Sequence, residues 1–103
     1  MSDDAKTYAV VVHNDAAQML YRHIRLVSIV STTAAHKLRN ALYDGFASLM
    51  NMPHRCPIFR TQRTADIYRQ LVIGRYQIIF SIDEDESVVR IQYVLDSRQD
   101  NDI

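Results

Sequence analysis

The apolar positions along this chain change their spacing twice. Residues 8–13, Tyr-Ala-Val-Val-Val-His, form a short and almost unbroken apolar block rich in β-branched side chains. A block without clean alternation suits an interior strand. From Asn14 the spacing becomes helical. Ala16, Leu20, Ile24 and Val27 recur at steps of about four, and Met19 and His23 widen the stripe. This predicts a helix to about Val30, with Asn14 as its N-cap and Asp15 placed well for the helix dipole. Ser31-Thr32-Thr33 breaks the stripe and offers hydroxyl caps to a second helix. Leu38, Leu42, Gly45, Leu49 and Met52 mark the inner face of that helix, and Pro53 is expected to end it. A glycine inside a helix costs about 1 kcal/mol relative to alanine. Gly45 therefore suggests close packing, most simply against the first helix.

The C-terminal third reads differently. Residues 71–73, 76–82 and 88–95 are runs of branched and aromatic residues. Gly74 and the acidic tip Asp83-Glu84-Asp85-Glu86 separate them, which predicts an antiparallel three-strand meander. The order is β-α-α-β-β-β in a single domain spanning 1–103. Its fold class is α+β, with an antiparallel sheet of about four strands and a helical hairpin on one face. Side chains alternate along a strand. Val89, Ile91, Tyr93 and Leu95 should face the helices, and Arg90, Gln92, Val94, Asp96 and Arg98 the other side. An unpaired arginine is costly to bury, so Arg69, Leu71 and Ile73 are assigned to the helix-free face as well.

The totals narrow the possibilities. The 103 residues are 48% hydrophobic and 23% charged, enough for one core. No apolar run is long enough to span a membrane, and the acidic start carries no secretory signal. The lone Cys56 cannot form an internal disulfide, which fits the cytoplasm. The formal net charge is zero, which argues against a protein held to nucleic acid by bulk electrostatics. Yet arginine supplies ten of the twelve basic residues, and five of these (Arg55, Arg60, Arg63, Arg69, Arg75) lie between His54 and Arg75. With Arg90 and Arg98 they make an arginine-bearing surface that a partner explains better than solvent does. Cys56 and His54 fall short of a zinc set, two glycines exclude a glycine-rich phosphate loop, and no cofactor or metal is expected. Tyr8, Tyr43, Tyr68, Tyr93, Met19, Met50 and Met52 read as core residues, and Tyr76 as a candidate for exposure.

Several segments, in this order, resemble the RelE/ParE family of toxins from bacterial type II toxin–antitoxin modules. They are Tyr8 to Val12 before an Asp-Ala helix start, Ala47-Ser48-Leu49-Met50-Asn51-Met52-Pro53, residues 68–82, and Val94-Leu95-Asp96-Ser97-Arg98-Gln99-Asp100. The resemblance implies a small cytoplasmic toxin that inhibits growth, stabilises plasmids and is neutralised in a hetero-oligomer with a cognate antitoxin. It implies one of two targets: DNA gyrase, inhibited by binding, or the ribosome and its mRNA, cut by an endoribonuclease; a decayed, non-toxic binding module is the third alternative. The ribonuclease branch carries an arginine near the end of the second strand, where this chain has Ile73, with Arg75 two residues on. It also uses a C-terminal arginine, matched by Arg98, so that Arg98, Arg69 and Arg90 would serve a nuclease. Cleavage by 2′-hydroxyl attack needs a base and an acid besides charge stabilisation. The only histidine near the expected site is His54, which favours the gyrase-type branch.

Overall fold

The structure, a computed structural model, describes residues 6–60 and 66–98. The chain forms β1 (Ala9–Val12), α1 (Asn14–Val30), α2 (Thr32–Ser48), a 3-10 turn (Pro53–Arg55), β2 (Ile58–Phe59), β3 (Tyr68–Ile73), β4 (Tyr76–Asp83) and β5 (Val88–Asp96). The strands make one sheet in the order β1-β5-β4-β3-β2. The sheet thus has five strands where four were expected, because the connection after α2 pairs Ile58 and Phe59 with Arg69 and Tyr68. It is also mixed. β1 runs parallel to β5, with Val10 beside Val89 and Val12 beside Ile91, and the other pairings are antiparallel. β1 and β5 are separated in the chain by both helices and three strands, so their pairing is free to be parallel, which short hairpin links cannot arrange.

Both helices lie on one sheet face, α1 over β5 and α2 over β3. Leu20, Leu42, Phe46 and Leu49 meet Ile78, Phe80, Val89, Ile91 and Val94 in the core. Each fully buried aliphatic or aromatic side chain contributes about 1.5–3 kcal/mol. Ser31 alone joins the helices. Its backbone N–H closes α1 on the Val27 carbonyl at 2.9 Å, and its Oγ accepts from the Ala34 N–H at 3.0 Å.

The helix ends differ from expectation in two places. The N-cap of α1 is His13, whose Nδ1 accepts from the Asp15 N–H at 3.2 Å, so Asn14 is already helical. α2 ends at Ser48, four residues before Met52 and well short of Pro53. There the Arg55 guanidinium caps the helix, donating to the carbonyls of Ser48, Asn51 and Met52 at 2.8–3.3 Å. A cation on the last carbonyls satisfies acceptors that the helix leaves open. Met52 then turns out through φ 49° and is exposed, as is Met50, so neither belongs to the core. Tyr43 is also exposed, whereas Tyr76 is buried.

The largest departure is in the strand faces. Ile79 pairs with Tyr93 and Phe80 with Ile91, which leaves Gln92 as an extra residue in β5. A bulge of this kind reverses the alternation beyond it. Val89 and Ile91 face the helices as expected. Past the bulge it is Val94 and Asp96 that point inward, while Tyr93 and Leu95 move to the helix-free face. The Arg69 set is reversed too. Arg69, Leu71 and Ile73 pair with Phe80, Ile78 and Tyr76 and so share the helix side, where Leu71 and Ile73 pack on the core. Gly45 is explained by the same contact. A Cβ at Gly45 would overlap Ile73 Cδ1, so the close approach is to β3 rather than to the first helix.

Candidate functional site

The bulge delivers Asp96, the last residue of β5, to the helix side of the sheet, and a pocket is built around it. The Asp96 side chain is 5% exposed. Its Oδ1 accepts the Arg98 N–H at 2.9 Å, an Asx turn that ends the strand. Its Oδ2 lies 3.6 Å from Arg75 Nε and 3.6 Å from Arg98 Nη2. Arg75 comes from the two-residue β3–β4 link, which begins at Gly74 with φ 58°. The Ser97 N–H donates to the Arg75 carbonyl at 2.8 Å and clips the two loops together. Burial pushes the Asp96 carboxyl up, but the Arg98 N–H and the Arg75 and Arg98 guanidiniums outweigh it and hold it below the usual carboxylate range.

The opposite wall is the C-terminal half of α1. His23, Leu26, Val27 and Val30 face Arg75, Tyr76, Asp96 and Arg98 across a cavity of about 370 Å³. His23 is buried, and its Nε2 donates to the Val94 carbonyl at 2.7 Å. Its ring sits 5.2 Å from that of Tyr76. The Tyr76 hydroxyl accepts from Arg75 Nη2 at 3.1 Å, and the Arg75 guanidinium lies 5.3 Å from the Tyr76 ring centre. The pocket therefore has an apolar wall, an inner carboxylate and two guanidiniums at its mouth. Such a lining suits a group with an apolar body and an anionic end.

Among the described residues the expected arginines do not share one surface: Arg75 and Arg98 meet at Asp96, and Arg55 and Arg69 both lie near Cys56. Arg55 caps α2. Arg69 donates to the Cys56 carbonyl at 2.7 Å and to the His54 carbonyl at 3.3 Å. Arg90 lies on the helix-free face and pairs with Asp83 at 2.8 Å. Arg60 is exposed, and Arg63 lies outside the described residues. Arg69, Arg90 and Arg98 thus do not form one face, because the bulge and the β3 register send Arg69 and Arg98 to the helix side and leave Arg90 on the other.

The histidine beside the two arginines is His23, not His54. His54 is at the other end of the sheet, where its Nε2 lies 2.6 Å from Glu84 Oε2. Glu84 also accepts from the Tyr8 hydroxyl at 2.8 Å and from Lys6 Nζ at 3.2 Å. Those bonds hold its carboxyl low and raise the Tyr8 phenol. Cys56 is a free, buried thiol, and burial raises its pKa. His23, Leu26, Val27 and Val30 are site residues that reading the chain as elements does not find. In the sequence they are only the inner and end positions of a helix stripe.

The fold, a helical hairpin over one face of a mostly antiparallel sheet, is shared with solved toxin–antitoxin complexes. The crystal structure of the RelBE2 toxin–antitoxin complex from Mycobacterium tuberculosis superposes with a TM-score of 0.63 at 19% identity, covering 92% of this chain and 97% of that one. The archaeal RelE–RelB complex from Pyrococcus horikoshii OT3 gives a TM-score of 0.58 at 15% identity, covering 91% and 99%. Among curated proteins none matches the chain in sequence. The family model for the ParE toxin of type II toxin–antitoxin systems, parDE, matches residues 10–101, and the chain belongs to that family.

Proposed function

We propose that this toxin acts in the cytoplasm by binding DNA gyrase, and that a cognate antitoxin holds it inactive in a hetero-oligomer until the antitoxin is lost. The observation that carries the reading is the state of the groups around Arg75 and Arg98. Among the described lining residues, Asp96 is held ionised by the Arg98 N–H and the two guanidiniums, the His23 Nε2–H is committed to a backbone carbonyl, and the Tyr76 hydroxyl oxygen accepts a hydrogen bond from Arg75 Nη2. These contacts make a rigid, positively charged recognition surface. They engage the groups that general acid–base chemistry would require. The ParE description of the family supports the same branch, and the antitoxins in the two similar structures support the regulated partner.

A second reading, ribosome-dependent cleavage of mRNA, is favoured by one observation: a histidine, a tyrosine and two arginines line the same cavity. The two readings separate cleanly. Purified toxin added to gyrase should block supercoiling of relaxed plasmid, and its induction in cells should raise DNA-damage signalling while mRNA stays intact. Unaltered supercoiling at high toxin concentration, with codon-linked cuts in mRNA by primer extension, would overturn the gyrase reading and install the ribonuclease.

A further inference from the structure

The last turn and a half of α1 is unusual for a helix on a small domain. Leu26, Ile29 and Val30 are 52%, 75% and 88% exposed. Leu26 and Val30 stand on the rim of the cavity that holds Arg75, Asp96 and Arg98. Contiguous apolar surface of this kind beside a charged cleft marks a contact site more often than a solvated face. The charge beside it has a sign. The described lining carries two guanidiniums against one carboxylate, and that carboxylate is buried and already shared between them. Arg98 keeps 64% of its side chain exposed. The Arg98 guanidinium lies beside Asp96 on one side and leaves N–H donors exposed on the other for a second carboxylate.

We infer that this cleft is a docking site for the antitoxin, taken by a segment that lays an apolar side chain against Leu26, Val27 and Val30 and sets a carboxylate on Arg98. The inference rests on the toxin–antitoxin reading above and adds to it the place and chemistry of the contact. Apolar anchors at Val30 and Leu26 supply the buried area, and the Arg98–carboxylate pair at the rim sets the register of the segment. Asp96 has a second role here. It fixes the Arg98 side chain before the partner arrives, so less rotamer freedom is lost on binding. The same cleft rejects a basic segment, because the two guanidiniums at its mouth repel it.

The test uses full-length toxin and the full-length antitoxin encoded beside it, with affinity measured by calorimetry. Val30→Glu and Arg98→Glu should each weaken binding by roughly 30-fold or more, the scale of a central anchor. Val11→Asp, at the position that pairs with Arg90 on the helix-free face of the sheet, should change it by less than about threefold. Replacing an acidic residue of the antitoxin by arginine should restore binding to Arg98→Glu and to no other variant. Thermal unfolding of each free variant, cooperative and well above the assay temperature, separates lost contact from lost fold; Arg98→Glu starts from a lower Tm because it sets a second carboxylate beside Asp96. Unchanged affinity for Val30→Glu and Arg98→Glu, while the parent still binds, would sink the docking site and leave the toxin–antitoxin reading standing. A parent that binds no antitoxin at all would overturn both. Loss of self-association by these variants with full antitoxin affinity would assign the cleft to a second copy of the chain and overturn the proposal.

Discussion

Asp96 shows how one residue can set local geometry and local charge at once. Its Oδ1 ends β5 through the Arg98 N–H, and its Oδ2 sits between the Arg75 and Arg98 guanidiniums. Its folded pKa is depressed below the unfolded carboxylate value. The stability it supplies is therefore complete above the ordinary carboxylate range and is lost as pH falls through the folded value. Asp96→Asn should keep the turn, since an amide oxygen can accept the same N–H. It removes the charge from between two cations. Urea unfolding at neutral pH should show a loss of about 1–3 kcal/mol, the scale of a buried charged hydrogen bond. As pH falls below about 4 the gap between variant and parent should begin to narrow, and it should close only once pH has passed the depressed folded value, where protonation removes the charge from the parent as well. A gap that persists unchanged into acid would contradict this role. His23 illustrates the limit of reading single residues. In the sequence it merely widens a helix stripe, and only its distance to Val94 reveals it as part of a cavity wall.

Among the elements, α2 and β3 meet at their closest point where Gly45 faces Ile73. The helical stripe identified Gly45 correctly as an inward position, but periodicity cannot say which neighbour comes close. Gly45→Ala should gain about 1 kcal/mol in helix propensity. It should lose more than that to overpacking, which typically costs about 1–3 kcal/mol. The expected result is a net destabilisation. Combining Gly45→Ala with Ile73→Val removes the overlapping Cδ1, and the double variant should unfold at higher urea concentration than Gly45→Ala alone. Additive losses in that double-mutant cycle would refute the contact. β5 carries the other lesson at this level. Strict alternation is sound for Val89 and Ile91 and fails after Gln92, since one inserted residue exchanges the two faces.

For the whole molecule, partner binding and stability are linked. An antitoxin that binds the folded toxin alone raises its apparent stability by about 2.7 kcal/mol at a free concentration one hundred times Kd. Scanning calorimetry of the parent should therefore show a higher Tm with antitoxin than without. Arg98→Glu, measured from its own lower Tm, should show little of that increment. An equal increment for both would place the antitoxin elsewhere. The amino-acid sequence alone determined the α+β class, the order of the main elements and the helical hairpin, because these depend on local periodicity, capping residues and turn chemistry that each segment carries in itself; the family was indicated separately, by the resemblance of whole segments. The sequence did not determine the fifth strand, the parallel pairing of β1, the bulge at Gln92, or which arginines meet. Those depend on register between segments far apart in the chain, where a shift of one residue reverses a face at little local cost. The tertiary structure decided them, and it alone brought Arg75 and Arg98 into one pocket.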